Sequence, residues 1–289
     1  MKYCNQLFLS ATFLIATLFY TTAQAAEDQY FNSNGVNIRY QVLGSGAPVI
    51  LVHGFTADFE SNWSSVIDVL TSHFQVIGID ARGHGKSDKP HDAAAYGIQM
   101  AIDVANLMDH LGIDKAHVAG YSMGGIIALK MASIYPDRLY SAVTAGSGMW
   151  THDGIEASAT AHKATMQRAI DQNISVVDAQ IPPGYEFPPS MEEMIEIMRS
   201  LDNDPRALLA VQEAIGRMMI GVGDAAAIHV PLLAIYGSLD DITLKTVDRL
   251  KAAAPNTEVI VIEGEDHMFT PYAPTFALAL RDYFLRIGE

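Results

Sequence analysis

The pentapeptide Gly120-Tyr121-Ser122-Met123-Gly124 stands between an apolar strand-like run at 116–119 and a helix-like run. A turn this tight between a strand and a helix strains the backbone at its central residue, and side chains at Gly120 and Gly124 would collide with their surroundings. The turn presents the Ser122 hydroxyl to a cleft. It also places the Met123 amide at a helix N-terminus, where an amide can donate a hydrogen bond to an oxyanion. The segment predicts a nucleophilic serine on a strand-to-helix turn.

Short apolar runs alternate with helix-like runs along most of the chain. Asn34-Gly35 is a two-residue hairpin signal between the first two runs. The predicted strands cover residues 30–33, 36–42, 49–52, 74–79, 116–119, 141–145, 232–236 and 258–262. Helical spacing of apolar residues predicts helices over 96–111 and 276–286. The alternation predicts an α/β fold with a mostly parallel eight-stranded sheet flanked by helices on both faces.

Residues 150–226, which we name the cap segment, interrupt this alternation. They contain helix-like stretches at 191–201 and 206–219, a proline-rich break and no clear strand. We interpret the cap segment as a helical lid over a core formed by residues 26–149 and 227–289. Its methionines on one helical face either pack against the core or line an adaptable substrate tunnel. These methionines are Met191, Met194 and Met198, and the prolines are Pro182, Pro183, Pro188 and Pro189.

The N-terminus has the layout of a secretory signal peptide over residues 1–25. Lys2 precedes a short apolar run at 7–19, and Ala23-Gln24-Ala25 supplies the small residues of a cleavage site. The apolar run is shorter than the ~20 residues of a membrane span, which favours cleavage after Ala25 over an uncleaved anchor. We therefore expect a periplasmic or secreted protein without a stable membrane span. Cleavage would remove Cys4, the single cysteine, so no intramolecular disulfide is expected.

Acidic residues outnumber basic residues by 33 to 18, which gives a formal charge of −15 at pH 7. Nucleic acids and anionic membranes bind basic patches, so this balance argues against both as partners and favours a small molecule. The ten histidines show no metal-binding spacing, and the glycines after strands match no dinucleotide fingerprint. We expect no metal and no cofactor, and the oligomeric state stays open.

Two further segments follow predicted strands. His53-Gly54-Phe55 ends the third strand. There Gly54 lets the backbone approach a ligand, the Phe55 amide is a candidate oxyanion donor, and His53 is interpreted as a residue that shapes the loop. Residues 80–87, Asp-Ala-Arg-Gly-His-Gly-Lys-Ser, form a tight loop interpreted as scaffold. Together with the Ser122 turn, in this order, these segments resemble the α/β-hydrolase superfamily. The resemblance is strongest to its small carboxylesterases, enol-lactonases, cofactor-free haloperoxidases and carbon–carbon bond hydrolases.

The resemblance implies the order serine, acid, histidine along the chain. Asp240 follows the strand at 232–236 and matches the acid position, whereas Asp241 fits a solvated turn better. His267 follows the last strand and is the candidate base. The predicted catalytic triad is therefore Ser122, Asp240 and His267.

The predicted function is that of an exported serine hydrolase, carboxylesterase-like, which cleaves an ester or related acyl substrate through an acyl-enzyme. Carbon–carbon bond hydrolysis, lactone hydrolysis and perhydrolysis use the same triad and stay open as alternatives. A non-catalytic small-molecule binding protein on the same fold is a further alternative. The superfamily's haloalkane dehalogenases and epoxide hydrolases carry aspartate at the turn, so Ser122 argues against both.

Overall fold

Eight strands form one sheet in the order β1-β2-β4-β3-β5-β6-β7-β8. The pairs β1–β2 and β2–β4 are antiparallel, and the five other neighbouring pairs are parallel. The strands are β1 (Gln29–Ser33), β2 (Val36–Gly44), β3 (Ala47–Val52), β4 (Phe74–Ile79), β5 (Ala116–Tyr121), β6 (Leu139–Ala145), β7 (Leu232–Gly237) and β8 (Glu258–Ile262). The predicted mostly parallel eight-stranded sheet is confirmed.

The computed structural model describes residues 27–181 and 192–288. The predicted signal peptide, the four prolines of the cap segment and Met191 lie outside these ranges. Within them, the structure contains no helix with the length and apolar character of a membrane span.

Ten helices lie within the described ranges. They are α1 (Phe59–Thr71), α2 (Gln99–Leu111), α3 (Met123–Ile134), α4 (His152–Gln172), α5 (Val176–Gln180), α6 (Glu192–Ser200), α7 (Pro205–Ala214), α8 (Val222–Ala227), α9 (Asp241–Ala253) and α10 (Pro274–Ile287). The predicted start of α2 at residue 96 is wrong. Gly97 has φ +73°, a left-handed conformation that a right-handed helix does not continue through, so α2 begins at Gln99, three residues after the predicted start.

Alternate residues of β3 show that both faces of the sheet are covered. Val49 and Leu51 pack in a cluster with residues of α1 and α10, whereas Ile50 and Val52 pack in a cluster with residues of α2 and α3. All four side chains are at most 1% exposed. Such double coverage is typical of a parallel sheet, whose strands are apolar on both sides.

The described part of the cap segment contains α4 to α8 and no strand. Met166 of α4, Val176 of α5 and Leu208 of α7 form a small buried cluster separate from the two main ones. The predicted helix at 206–219 is shorter than expected, because α7 ends at Ala214 and a 3₁₀ turn continues over Ile215–Met218. The interpretation of residues 150–226 as a lid stays a prediction.

Candidate active site

Ser122 occupies the turn between β5 and α3 with φ +52°, a conformation that non-glycine residues rarely adopt. A Cβ atom on Gly120 would lie 1.9 Å from the carbonyl oxygen of Gly124. A Cβ on Gly124 would lie 2.1 Å from the carbonyl oxygen of Val52. Both contacts are with backbone, which cannot rotate away, so the turn excludes side chains at these two positions.

Two hydrogen-bonding contacts link the side chains of Ser122, His267 and Asp240, with His267 in the middle. His267 Nε2 lies 3.0 Å from Ser122 Oγ, and His267 Nδ1 lies 2.6 Å from Asp240 Oδ2. A carboxylate accepts but does not donate, so we assign the imidazole proton to Nδ1 and leave Nε2 to accept from the serine hydroxyl. The structure thus brings together the three residues that the sequence predicted, in the geometry that lets a histidine take a serine proton.

Asp240 is buried and caps the N-terminus of α9. Its Oδ1 accepts from the Thr243 amide at 3.0 Å, and its Oδ2 accepts from the Thr243 hydroxyl at 2.5 Å. Burial alone would raise the pKa of Asp240, but the hydrogen bonds from His267 and Thr243 outweigh burial and hold the pKa below its ordinary value. Asp241 is exposed at the first position of α9. The carboxylate is therefore ionised at neutral pH and oriented toward His267.

His267 is held from behind through its backbone. The Tyr121 hydroxyl donates to the carbonyl oxygen of His267 at 2.5 Å, and the two rings are tilted with centroids 5.6 Å apart. Burial raises the pKa of Tyr121, so its hydroxyl remains a donor at neutral pH. The next turn is closed by Asp266, whose Oδ1 accepts from the amides of Met268 and Phe269 at 2.9 and 3.0 Å. These bonds fix the loop that carries the imidazole.

The loop after β3 passes directly beside Ser122. A Cβ on Gly54 would lie 3.4 Å from the Cβ of Ser122, and the Gly54 amide donates to Asn62 Oδ1 at 2.6 Å. Among the hydrogen bonds of the described residues, none uses the amide of Phe55 or that of Met123, which opens α3. Both predicted oxyanion donors are therefore unengaged by acceptors within residues 27–181 and 192–288.

His53 shapes this loop rather than facing a substrate. It is fully buried, its Nδ1 lies 2.7 Å from the Gly54 carbonyl oxygen, and its Nε2 accepts from the Ala81 amide at 3.0 Å. Its ring lies 5.1 Å from that of His84, whose pKa is lowered by burial to about 3. Both rings are thus fixed parts of the scaffold, as the sequence interpretation has it.

The loop at 80–87 is braced by buried charge pairs. Arg82 donates through Nε and a terminal nitrogen to the two carboxylate oxygens of Asp103, at 2.7 and 2.6 Å. Asp80 accepts from the amides of Phe59 and Lys86 at 3.0 and 2.9 Å. These contacts join the loop to α1 and α2, and neither Arg82 nor Asp80 is among the described residues that line the cavity beside Ser122.

A cavity of about 130 Å³ opens beside Ser122 and His267. Residues of the cap segment and of the core both line it. Its larger apolar side chains are Phe55, Met198, Leu201, Met268, Pro271 and Tyr272, and its neutral polar side chains include Thr56, Ser61, Asn62 and Gln180. The cavity suits a small, mostly apolar ligand. Among the described residues, no group of three or more His, Cys, Asp or Glu side chains is placed to hold a metal ion.

Four side chains that support this site were not anticipated from the sequence. Asn62 orients the Gly54 amide, Thr243 holds Asp240, and Tyr121 anchors His267. His162 of α4 packs edge-on against Phe55 with centroids 5.2 Å apart, and burial lowers its pKa. No local sequence pattern marks Asn62 or His162, since their partners are brought near by the fold.

Several known proteins have sequences similar to that of this chain. The family profile described as alpha/beta hydrolase fold matches residues 47–171. The acetyltransferase component of the acetoin cleaving system of Cupriavidus necator is 31% identical over 251 residues, 84% of this chain and 65% of that protein. 3-Oxoadipate enol-lactonase 1 of Acinetobacter baylyi is 34% identical over 136 residues, 46% of this chain and 50% of that protein. The chain thus spans just under two thirds of the first relative and half of the second.

Solved structures agree with this assignment. A carboxylesterase structure from the thaumarchaeon Nitrososphaera gargenis superposes with a TM-score of 0.76 at 23% identity, covering 90% of this chain and 98% of that one. The sheet order, the serine turn and the hydrogen-bonded chain at the sheet's carboxyl edge define an α/β fold with a serine-centred site. The chain has the α/β-hydrolase fold, and residues 47–171 match the profile of that family.

Proposed function

We propose that the protein is an exported serine hydrolase that cleaves a carboxylic ester through an acyl-enzyme on Ser122. The observation that carries the proposal is the pair of hydrogen-bonding contacts made by His267. Its Nε2 lies 3.0 Å from Ser122 Oγ, and its Nδ1 lies 2.6 Å from Asp240 Oδ2. The strained φ of Ser122 supports the same chemistry, as do the amides of Met123 and Phe55, which no acceptor of the described residues engages.

In the first half-reaction, Ser122 Oγ attacks the ester carbonyl carbon while His267 Nε2 takes its proton. The amides of Met123 and Phe55 donate to the oxyanion, a contribution typically of ~3 kcal/mol for each donor. Asp240 stabilises the imidazolium, which then protonates the departing alcohol. In the second half-reaction His267 activates water, which attacks the acyl carbon and releases the acid together with free Ser122.

A cyclic ester is the second candidate substrate, because one relative of 34% identity is named an enol-lactonase. Lactone opening uses the same steps, except that the alcohol stays attached to the acyl group. Carbon–carbon bond hydrolysis, perhydrolysis and ligand binding without catalysis are the outcomes to which a negative ester assay would point.

The test is hydrolysis of p-nitrophenyl esters from acetate to palmitate by the wild type, by Ser122→Ala and by Ser72→Ala. Ser72 is an exposed serine at the end of α1 and serves as the matched control. We expect turnover in the wild type and in Ser72→Ala and its loss in Ser122→Ala. Equal turnover in all three proteins, or none in any, would overturn the proposed ester hydrolysis.

The export part of the proposal rests on the sequence of residues 1–25 and is tested separately. Full-length protein expressed in a Gram-negative host is fractionated, and the intact mass of the product is measured. We expect a periplasmic or secreted product that begins at Ala26. A full-length product retained in the cytoplasm would contradict export without bearing on the chemistry.

A further inference from the structure

We infer that Asn62 contacts the substrate directly and selects esters that carry a second hydrogen-bond acceptor a few atoms from the scissile carbonyl. The inference deepens the proposed ester hydrolysis and rests on it. Asn62 lies in α1, is only 4% exposed and lines the cavity beside Ser122 and His267. One half of its side-chain amide holds the backbone amide of Gly54, and the other half is left for a ligand.

The contact with Gly54 fixes which way the Asn62 amide is turned. A backbone N–H only donates, so the atom that meets it at 2.6 Å is the oxygen Oδ1, and the nitrogen Nδ2 occupies the other branch. Nδ2 makes no hydrogen bond within the described ranges. The described side-chain atoms that are sealed in the interior without a partner do not include Nδ2. Nδ2 thus opens onto the cavity that Asn62 lines.

Asn62 and Ser122 flank the same glycine. The position that a Cβ on Gly54 would take lies 3.3 Å from Asn62 Oδ1 and 3.4 Å from Ser122 Cβ. An acyl carbon poised for attack lies about 3–3.5 Å from the nucleophilic oxygen, here Ser122 Oγ. A ligand atom a few bonds from that carbon is therefore within reach of Nδ2.

Two neighbouring hydroxyl groups of the cavity wall already donate to the backbone. Ser61 Oγ donates to a carbonyl oxygen of its own turn at 3.3 Å, and the Tyr272 hydroxyl donates to the carbonyl oxygen of Ser61 at 3.1 Å. Thr56 is only half-buried and Gln180 is exposed, so bulk water reaches both residues. Asn62 differs from these four residues because it is deeply buried and keeps a donor that they do not occupy.

A buried donor needs an acceptor, and a bound ester must supply it. A ligand that fills the cavity displaces water from Nδ2, and a buried N–H left unpaired costs binding free energy. An ester with an ether, carbonyl or amide oxygen near the scissile carbonyl replaces the lost hydrogen bond, whereas a purely alkyl chain does not. Asn62 therefore favours the ester that carries the additional oxygen.

The test compares esters of equal size that differ only in one ether oxygen. On the acyl side these are p-nitrophenyl methoxyacetate and p-nitrophenyl butyrate, and on the alcohol side they are 2-methoxyethyl acetate and butyl acetate. The ratio of kcat/KM values within each pair is measured for the wild type, Asn62→Asp and Asn62→Ala. Comparing this ratio between proteins cancels the intrinsic reactivity of each ester.

The two variants separate the two halves of the amide. Asn62→Asp keeps an oxygen for the Gly54 amide and loses the donor, whereas Asn62→Ala loses both. We expect the preference for the ether ester to fall by about 10-fold in both variants, in whichever pair brings the oxygen to Nδ2. The matched control is Asn256→Asp, at an exposed residue between α9 and β8, and it is expected to keep both wild-type ratios.

Ratios within about 3-fold of the wild type for both pairs in Asn62→Asp would overturn the inference. This holds even where all the rates fall together, because an equal loss for both esters of a pair is the effect of a disturbed oxyanion loop. The added charge of Asn62→Asp does not mimic the expected result through the triad, since both esters of a pair are neutral and use the same triad.

Failure of the inference can be told apart from failure of the proposed ester hydrolysis. If no ester is turned over, the esterase proposal fails, and the contact is measured by nitrogen–proton NMR of Ser122→Ala. The side-chain signal of Asn62 is identified by its loss when Asn62→Ala is added. We expect methyl methoxyacetate or 2-methoxyethyl acetate to shift this signal more than methyl butyrate and butyl acetate do. Equal shifts with ether and alkyl esters, or no shift with any of them, would overturn the inference.

Discussion

Asn203 of the cap segment donates a hydrogen bond from its side-chain nitrogen to the carbonyl oxygen of Thr56, at 2.9 Å. Thr56 follows the candidate oxyanion donor Phe55 and has φ +66°, a conformation that costs a threonine free energy unless its surroundings impose it. The bond therefore helps to hold a strained loop in place beside Ser122. It makes the geometry of the oxyanion loop depend on the position of the cap segment.

The two neighbours of Asn203 attach the same segment to the core. Asp202 pairs with Lys89 at 2.8 Å, and Asp204, the N-cap of α7, lies 2.7 Å from His91 Nε2. Burial would raise the pKa of Asp204, but the hydrogen bonds from His91 and from the amides of Arg206 and Ala207 together outweigh burial, and the pKa lies below its ordinary value. Three consecutive side chains thus tie the cap segment to two loops of the core.

Asn203→Ala is expected to lower kcat by up to about 10-fold, the effect of losing one hydrogen bond, while KM changes less than about 3-fold. The reason is that the oxyanion forms only during reaction, so a displaced Phe55 amide weakens the transition state more than the bound ester. Steady-state kinetics on the best p-nitrophenyl ester measures both constants. Asp202→Asn is the control, because it removes an exposed ion pair and leaves the Thr56 contact intact. Equal kinetics in Asn203→Ala and wild type would contradict this role.

The adjacent residues Asp240 and Asp241 are expected to differ strongly in their effect on kcat/KM. Asp240→Asn is expected to lower kcat/KM by about 10³–10⁴-fold, because the amide no longer holds the proton of His267 on Nδ1. Asp241→Asn is expected to change kcat/KM less than about 3-fold, since Asp241 is exposed and makes no contact with His267. The measurement is kcat/KM of both variants at neutral pH. Similar losses in the two variants would argue against Asp240 as the acid of the triad.

Gly124→Ala is expected to destabilise the protein by about 3 kcal/mol or more, since its Cβ would lie 2.1 Å from the Val52 carbonyl oxygen in the centre of the sheet. Gly223→Ala in α8 is the control, because its Cβ meets nothing within 4 Å and alanine favours a helix. Urea unfolding measures the difference. A Gly124→Ala protein as stable as Gly223→Ala would contradict the close approach of the turn to β3.

Acid sensitivity is expected from His117, a buried residue of β5 whose Nδ1 lies 2.8 Å from Ser141 Oγ. Burial lowers its pKa to about 4, whereas an unfolded histidine titrates at about 6.5. As pH falls from about 6.5 to 4, the unfolded chain binds a proton that the folded chain does not. The free energy of unfolding then falls by up to about 1.4 kcal/mol per pH unit. Above about pH 6.5 both states are neutral and this loss is absent.

His117→Gln is expected to reduce this slope by about one proton, whatever its effect on stability at neutral pH. His152→Gln, at a histidine whose side chain is 87% exposed, is expected to keep the wild-type slope. Urea unfolding at several pH values within the window measures the three slopes. An unchanged slope in His117→Gln would show that His117 is protonated in the folded protein.

Strands and the serine turn were predictable because their signals are local. Most strands of the sheet are short apolar runs, β1 being the exception, and the two glycines around Ser122 reflect contacts that any side chain would violate. The positions of Asp240 and His267 came from the resemblance, which supplies their order along the chain. Their hydrogen-bonding distances to one another are a property of the fold alone.

Helices α1 and α4 were not predicted, for different reasons. Helix α1 carries a readable stripe of Phe59, Trp63, Val66 and Leu70 and a capping box at Asp58, so this signal was present. Helix α4 buries Ile155, Ala159, Met166 and Ala169. Because two of these are alanines, the buried face differs little in hydropathy from the exposed face, and the helical pattern is weak. The supporting roles of Asn62 and Asn203 depend on partners reached through the fold, which no spacing along the chain reveals.

The most direct test of the account is covalent labelling of Ser122 by diethyl 4-nitrophenyl phosphate, followed by intact-mass and peptide mass analysis. The reagent phosphorylates a serine only where a base removes its proton and the oxyanion is stabilised. We predict one diethylphosphoryl group per chain, located on Ser122, and none on Ser122→Ala. An unlabelled wild type, or a label that persists in Ser122→Ala, would contradict an activated serine at this turn.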